Sequence, residues 1–305
     1  MNKILLATTA LVATAGVASA DVALSGWAEI GLVDDGVNDV QFHHDMDVRF
    51  TLSGETDGGL TFGATIDLDE VSSGISADAS PAAVFISGGF GTVTMGDTDG
   101  AYDWAMADVA VGGAIADDHT AHGGYNDHAF ADAAGSGRDG QVLRYDNTFG
   151  DFGVALSAQL DESGGLPGND DSFGLGLRYN AALGGLDLGL GLAVQDNGAN
   201  TIAGLSVDTT FANGLRAILN YSDLDGAVAG GTAKDSHTAL GLAYTSGALT
   251  VSANYGSYDG TVAANDAEGY GLAVNYDLGG AEVQFGYGDT DGGNSTWSLG
   301  LAMSF

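Results

Sequence analysis

Trp297-Ser-Leu-Gly-Leu-Ala-Met-Ser-Phe305 alternates without a break. Counting back from Phe305, Met303, Leu301, Leu299 and Trp297 share one side, and Ser304, Ala302, Gly300 and Ser298 share the other. Side chains on a strand repeat every two residues, so the segment reads as one strand with an apolar face and a small, polar face. An apolar face must be covered either by a protein core or by lipid. A terminal aromatic on such a strand fits a closed barrel whose last strand pairs with its first.

The N-terminus reads as an export signal. Lys3 gives a positive start, residues 4–17 are apolar and rich in Ala and Thr, and Ala18-Ser19-Ala20 fits an A-x-A cleavage site. The expected mature chain begins at Asp21, and a retained N-terminal membrane anchor is the alternative. No later stretch has the ~18 continuous apolar residues of a helical span, so any membrane crossing must use strands. Without residues 1–20 the chain has six Lys and Arg against 41 Asp and Glu, a net charge of −35. Such a surface excludes nucleic acid as a partner and favours cations. There is no Cys, so no disulfide framework holds the exported fold. Fifty-one Gly and two Pro count against a helical protein and against a collagen-like or Pro-rich chain. Gly weakens an ordinary strand, yet in a barrel wall it permits bending and close approach.

The mature chain divides into sixteen strand-like segments of the ~10-residue kind that crosses a bilayer obliquely. They are 22–33, 46–55, 60–69, 82–88, 91–97, 140–148, 152–161, 171–181, 186–196, 201–211, 215–224, 235–245, 248–258, 268–277, 281–289 and 295–305. One set of connections is tight and centred on Gly or Asn, at 56–59, 88–90, 149–151, 212–214, 246–247 and 278–280. The other set, at 34–45, 70–81, 98–139, 162–170, 225–234 and 259–267, is longer and acidic. Sorting of this kind suits a barrel with short turns at one rim and long loops at the other. The expected fold is therefore all-β, a sixteen-stranded antiparallel transmembrane barrel forming one domain over 21–305. Tyr145, Tyr179, Tyr221, Tyr244, Tyr255, Tyr276 and Trp297 fall on the apolar parity near strand ends, where interfacial girdles sit. The segments 82–88 and 91–97 are short and suit contact with another subunit better than contact with lipid.

Charge placement points to the lumen. Arg49, Arg144, Arg178 and Arg216 lie inside strands, each between apolar residues of the opposite parity. An Arg at the midplane of the lipid face costs roughly 2–4 kcal/mol, so all four are assigned to the pore wall. Glu29, Asp67, Asp69, Asp208 and Glu282 are the expected lumen acids. The arginines either neutralise such wall carboxylates or act on solutes in the pore. The connection 98–139 exceeds the ~12–15 residues of ordinary loops. Around it lie Asp97, Asp99, Asp103, Asp108, Asp117 and Asp118, with apolar Tyr102, Trp104, Met106, Val109, Val111 and Ile115 among them. An acidic loop with apolar anchors can fold inward, facing the arginines across a gap and setting ion preference.

Three stretches carry a family likeness. They are Val22-Ala-Leu-Ser-Gly-Trp-Ala-Glu-Ile-Gly-Leu32, Arg49-Phe-Thr-Leu-Ser-Gly-Glu-Thr-Asp-Gly-Gly-Leu-Thr-Phe-Gly-Ala64 and Phe90-Gly-Thr-Val-Thr-Met-Gly-Asp97. The sequence resembles the Gram-negative general porins, most of all those of photosynthetic alphaproteobacteria. The resemblance implies a homotrimer in the outer membrane, a third loop folded into the pore, and a constriction between that loop's acids and the wall arginines. Residues 98–139 match the loop, and Arg49 sits on the strand where the family places part of its basic cluster. Four wall arginines make a thinner cluster than the family norm, which pushes the expected selectivity toward cations.

Weaker signals remain. Asp-x-Asp-Gly recurs at Asp97/Asp99, Asp223/Asp225 and Asp289/Asp291, oxygen-rich turns that suit Ca²⁺, although the full EF-hand spacing is absent. His119, His122 and His128 near Asp117 and Asp118 could hold a transition metal. No cofactor is required. No Gly-x-Ser-x-Gly elbow, P-loop or H-E-x-x-H occurs, so the chain is not expected to be an enzyme. The expected function is passive diffusion of ions, preferentially cations, and small hydrophilic solutes through a water-filled channel in outer-membrane lipid. A substrate-selective channel and a secreted Ca²⁺-binding β-repeat protein are the alternatives.

Overall fold

Each of the sixteen segments of period two forms a strand in the computed structural model, which describes residues 21–71, 74–75, 82–116, 141–160, 171–196, 198, 200–226, 228–229 and 232–305. The strands begin with β1 (Asp21–Asp34), β2 (Gln41–Glu55), β3 (Thr61–Val71) and β4 (Ala82–Gly88). Next come β5 (Gly91–Gly96), β6 (Val142–Phe149), β7 (Phe152–Gln159) and β8 (Ser172–Ala182). They continue with β9 (Leu186–Asp196), β10 (Thr201–Phe211), β11 (Leu215–Asp223) and β12 (Thr232–Ser246). The last are β13 (Leu249–Gly260), β14 (Ala267–Asp277), β15 (Ala281–Thr290) and β16 (Thr296–Ser304). Two-residue pieces at Gly74–Ile75 and Val228–Ala229 lengthen the hairpins beside β3 and β12.

All neighbours are antiparallel, and the sheet closes on itself. β1 pairs with β2 on one side and with β16 on the other, in a register running from Trp27↔Ser304 to Asp34↔Trp297. Phe305 continues that ladder, its N–H donating to the Gly26 carbonyl at 2.8 Å. Closure leaves no edge strand, which is what strands in lipid require.

The side-chain pattern is that of a soluble barrel turned inside out. Along β9, Leu190, Leu192 and Val194 are exposed on the outside while Gly191, Ala193 and Gln195 are buried inward. Along β14, Tyr270, Leu272, Val274 and Tyr276 are outside, and Gly271, Ala273 and Asn275 are inside. In water each large apolar side chain of this belt would forgo about 1.5–3 kcal/mol of burial, so the cover must be hydrocarbon. Tyr221, Tyr244, Tyr255 and Tyr276 are exposed on the outer parity, as girdle residues should be. Trp27 is different. Its ladder partners Asp47 and Ser304 share its side, so it faces the lumen.

Strands flanking the longer connections extend further than the sequence suggests, most clearly at two of them. The loop expected at 34–45 is only 35–40, because Gln41 to Asp45 pair with Val33 to Glu29. Gln-Phe-His-His-Asp is too polar to read as a membrane strand, yet here the hairpin rises beyond the apolar band and Phe42 is 92 % exposed. Likewise β12 starts at Thr232, with a register shift between Lys234 and Ser236 that hides its early residues from a period-two reading. The expected export signal, residues 1–20, lies outside the described residues.

Candidate functional site in the barrel lumen

The connection after β5 lies along the inner wall as far as it is described, to Ala116. It opens with a single helical turn, α1 (Ala101–Ala105), and continues extended. Wall side chains take up its backbone polar groups. The Ala101 N–H donates to Ser157 Oγ on β7 at 2.8 Å, and the Ala107 N–H to Ser206 Oγ on β10 at 3.0 Å. Asn220 Nδ2 on β11 donates to the Ala107 carbonyl at 3.0 Å, Ser252 Oγ on β13 to the Val111 carbonyl, and Asn275 Nδ2 on β14 to the Gly113 carbonyl at 2.8 Å. Backbone groups brought against a wall need partners, and these inward Ser and Asn supply them. Chain length fits this path. Eight residue steps from Ala107 to Ile115 at ~3.4 Å cover about 27 Å, against about 29 Å for the six strand spacings of ~4.8 Å from β10 to β16.

Glycines make the seat. A Cβ on Gly176 would collide with the Ala101 carbonyl, one on Gly191 with the Ala105 carbonyl, and one on Gly241 with the Val109 carbonyl. At the closing seam, Gly31 and Gly300 face each other and admit the Ile115 side chain between them. Ile115 is fully buried there. Ile115→Ala is expected to lower the unfolding free energy by about 2–5 kcal/mol, read as a fall in the thermal midpoint. The apolar anchors pack as their types demand. Tyr102, Ala105 and Met106 join Ala193, Ile202, Leu224 and Tyr258, and Val109 joins Ile218 and Ala239. Tyr102 Oη donates to Ser222 Oγ at 2.8 Å. Burial pushes the Tyr102 pKa up to about 12, so that donor is present at any physiological pH.

All four strand arginines are on the inner parity, but they do not gather into one cluster. They stand on β2, β6, β8 and β11, and each has its own neighbour. Arg49 grips Asp67 through Nε and Nη2 at 2.6 and 2.7 Å. Arg216 grips Asp208 the same way at 2.9 and 2.7 Å. Arg144 Nε donates to Asp146 at 3.1 Å and Nη1 to the Asp99 carbonyl at 2.8 Å, with the Asp99 carboxylate 3.9 Å away. The Arg178 guanidinium lies 4.2 Å from the centroid of the Trp104 ring. Loop and basic wall are thus in contact here, not separated by the expected gap. The cause is the glycine seat, which lets α1 reach the wall beside Arg144 and Arg178.

The acids divide between wall and loop. Asp67 and Asp208 are held by arginines, while Glu282 accepts from Asn275 and Gln284 at 2.9 Å each. Glu29 is buried, 3.7 Å from His43 Nε2. Asp97, Asp99 and Asp108 on the loop are exposed, and Asp103 is half-buried. Asp117, Asp118, His119, His122, His128 and the Asp69 side chain lie outside the described residues. At the Asp-x-Asp-Gly turns, Asp225 has φ 48° and its carbonyl accepts from Asn200, and Asp289 accepts from Ser295 at 2.5 Å. Among the described residues no three His, Cys, Asp or Glu side chains converge as a metal site. Lys234 was not singled out from sequence. It is buried on the inner side, donating to the Asn265 carbonyl with the Tyr258 ring 5.6 Å away, and the local register shift masked it.

An oily exterior, a wet and ionic interior and a loop laid on the inner wall define a membrane channel built from strands. Comparison with known proteins gives the family. The model of the Gram-negative porins matches residues 7–305, and the chain belongs to that family. It is 32 % identical over 313 residues to a porin of Rhodobacter capsulatus, with 93 % of this chain and 99 % of that one covered. A porin structure refined at 1.8 Å resolution superposes with a TM-score of 0.71 at 27 % identity, over 93 % of this chain and all of the other. A mutant of Rh. blastica porin, at 20 % identity, shares the fold with a TM-score of 0.69 over 93 % of this chain and 100 % of that one.

Proposed function

We propose that this porin is an outer-membrane channel for passive diffusion of ions and small hydrophilic solutes, and that it prefers cations. One observation carries the preference: inside the barrel, acids of the loop are open to water while bases are covered or paired. Asp99 is 62 % exposed against 14 % for the Arg144 side chain beneath it. Arg49 and Arg216 are more open, yet each is clasped by a carboxylate. A cation entering meets loop acids in contact with water, whereas an anion meets bases that are covered or clasped. The mechanism needs no cofactor and no bond-making step.

Homotrimer formation, export with cleavage before Asp21, and β4 and β5 as the subunit contact belong to the same proposal. Those strands have seven and six residues, and Val84 and Met95 stand exposed on them. The test is conductance in planar bilayers. Openings should come as three equal steps, and a KCl gradient should give a reversal potential of cation sign. That potential should shrink as salt rises from 0.1 to 1 M and the Debye length falls from ~10 to ~3 Å. An anion-signed potential, or no conductance, would overturn the channel reading; a single step would remove the trimer. The mass of the exported chain tests cleavage, and a chain still carrying residues 1–20 would refute it.

A further inference from the structure

Arg178 stands apart from the other wall arginines. Arg49, Arg144 and Arg216 hold carboxylates at 2.6, 3.1 and 2.7 Å. Among the described residues Arg178 has no such partner, and its guanidinium is instead stacked on the Trp104 ring. The indole is held in place from several directions. Its backbone N–H donates to the Gly100 carbonyl at 3.0 Å, which fixes it in the α1 turn. Its outer edge lies over Gly153, the ladder partner of Arg178, where an added Cβ would meet Cη2 at 2.9 Å. It also packs on the cluster around Tyr102, Ala105 and Met106. The charges acting on Arg178 are those of Asp103, Asp146 and Asp99, with Arg144 as a like-charged neighbour.

A guanidinium without a carboxylate, in a water-filled lumen, is the natural landing point for a permeating anion. An aromatic face stacked on it does two things. It satisfies part of the charge through the ring quadrupole, and it covers one face of the guanidinium, which keeps water and a permeating ion from that face. We propose that Trp104 is a selectivity-determining residue that caps Arg178 and withholds it from permeating anions. The proposal rests on the cation-preferring reading above and names the side chain that protects it.

The experiment is a double-mutant cycle on reversal potential in a KCl gradient, with full-length channels in planar bilayers. Trp104→Leu uncovers the guanidinium and is expected to lower the K⁺/Cl⁻ permeability ratio by about twofold to fivefold, the factor matching a partly exposed cation–π contact. Trp104→Phe should keep most of the ratio. Arg178→Gln should change it less in the wild-type background than in the Trp104→Leu background, and the double variant should return close to wild type. Gly153→Ala places a methyl against the ring edge and should move the ratio the same way as Trp104→Leu. It serves as the reading if the Leu variant fails to insert. An unchanged ratio in Trp104→Leu, or an equal drop whether or not Arg178 is present, overturns the cap. A wild-type channel without cation preference would overturn the functional proposal instead, while the difference between wild type and Trp104→Leu would still report on the cap.

Discussion

Gly176→Val combined with Gly191→Val should give a channel that still inserts but conducts less per opening. Both glycines lie on the inner parity under the ends of α1, where a Cβ would collide with the carbonyls of Ala101 and Ala105. Those oxygens belong to backbone and cannot turn aside as a side chain could. The helix must therefore lift, at an overpacking cost of about 1–3 kcal/mol. Lifting separates the Ala101 N–H from Ser157 and the Ala107 N–H from Ser206, which stand at 2.8 and 3.0 Å. The wall blocks the outward direction, so α1 should shift toward the barrel axis and carry Asp99 and Asp103 into the aqueous path. The outward face of β8 and β9 is untouched, so closure and insertion should survive. Single-channel conductance in planar bilayers reads the result, with outward-facing Leu192→Val as the control. Unchanged conductance in the double variant would mean that α1 does not rest on this wall.

Strand number, facing and the inward placement of the arginines were legible in the sequence because a period of two is a local signal. Leu190, Leu192 and Val194 declare their face without knowledge of any neighbour. Two of the ion pairs were legible as well, though less directly. Residues symmetric about the turn at 56–60, one residue longer than the tight stretch read from the sequence, pair across it, which brings Arg49 opposite Asp67. The turn at 212–214 puts Arg216 opposite Thr210 and hence one diagonal step from Asp208. The loop's path was not legible. Gly176, Gly191, Gly241 and the Gly31–Gly300 pair look alike in sequence to any wall glycine, and their meaning comes from a segment far away in the chain. Trp27 is a related case: an aromatic in a membrane strand often marks the lipid interface, yet its parity with Glu29 along β1 and with Asp47 across the ladder turns it inward. The contact of Asp99 and Trp104 with Arg144 and Arg178, where a gap was expected, depends on the same missing information.

Neutralising Asp99, Asp103 and Asp108 together to Asn should cut the cation preference several-fold, although only three of 41 acids are removed. Two views of the −34 net charge can be told apart this way. If the whole molecule's charge set selectivity, any three acids would count alike and the change would be slight. Screening argues otherwise, because charges farther than about 8 Å from the permeation path fade at physiological ionic strength. A carboxylate beside the path acts at close range, where even in water a pair at 4 Å is worth about 1 kcal/mol, roughly fivefold in local cation occupancy. Asp99 and Asp108 on the loop are exposed, and Asp103 is half-buried. The matched control removes the same charge elsewhere, through Asp39→Asn and Asp291→Asn in outer loops and Asp57→Asn in an opposite-rim turn, all exposed. Reversal potentials for the two triple variants, measured in the same gradient, give the comparison. Equal shifts would assign selectivity to net charge. A large shift confined to the first triple would assign it to the face of one loop, whose acids stay open to water because its other face is pressed into glycine, serine and asparagine.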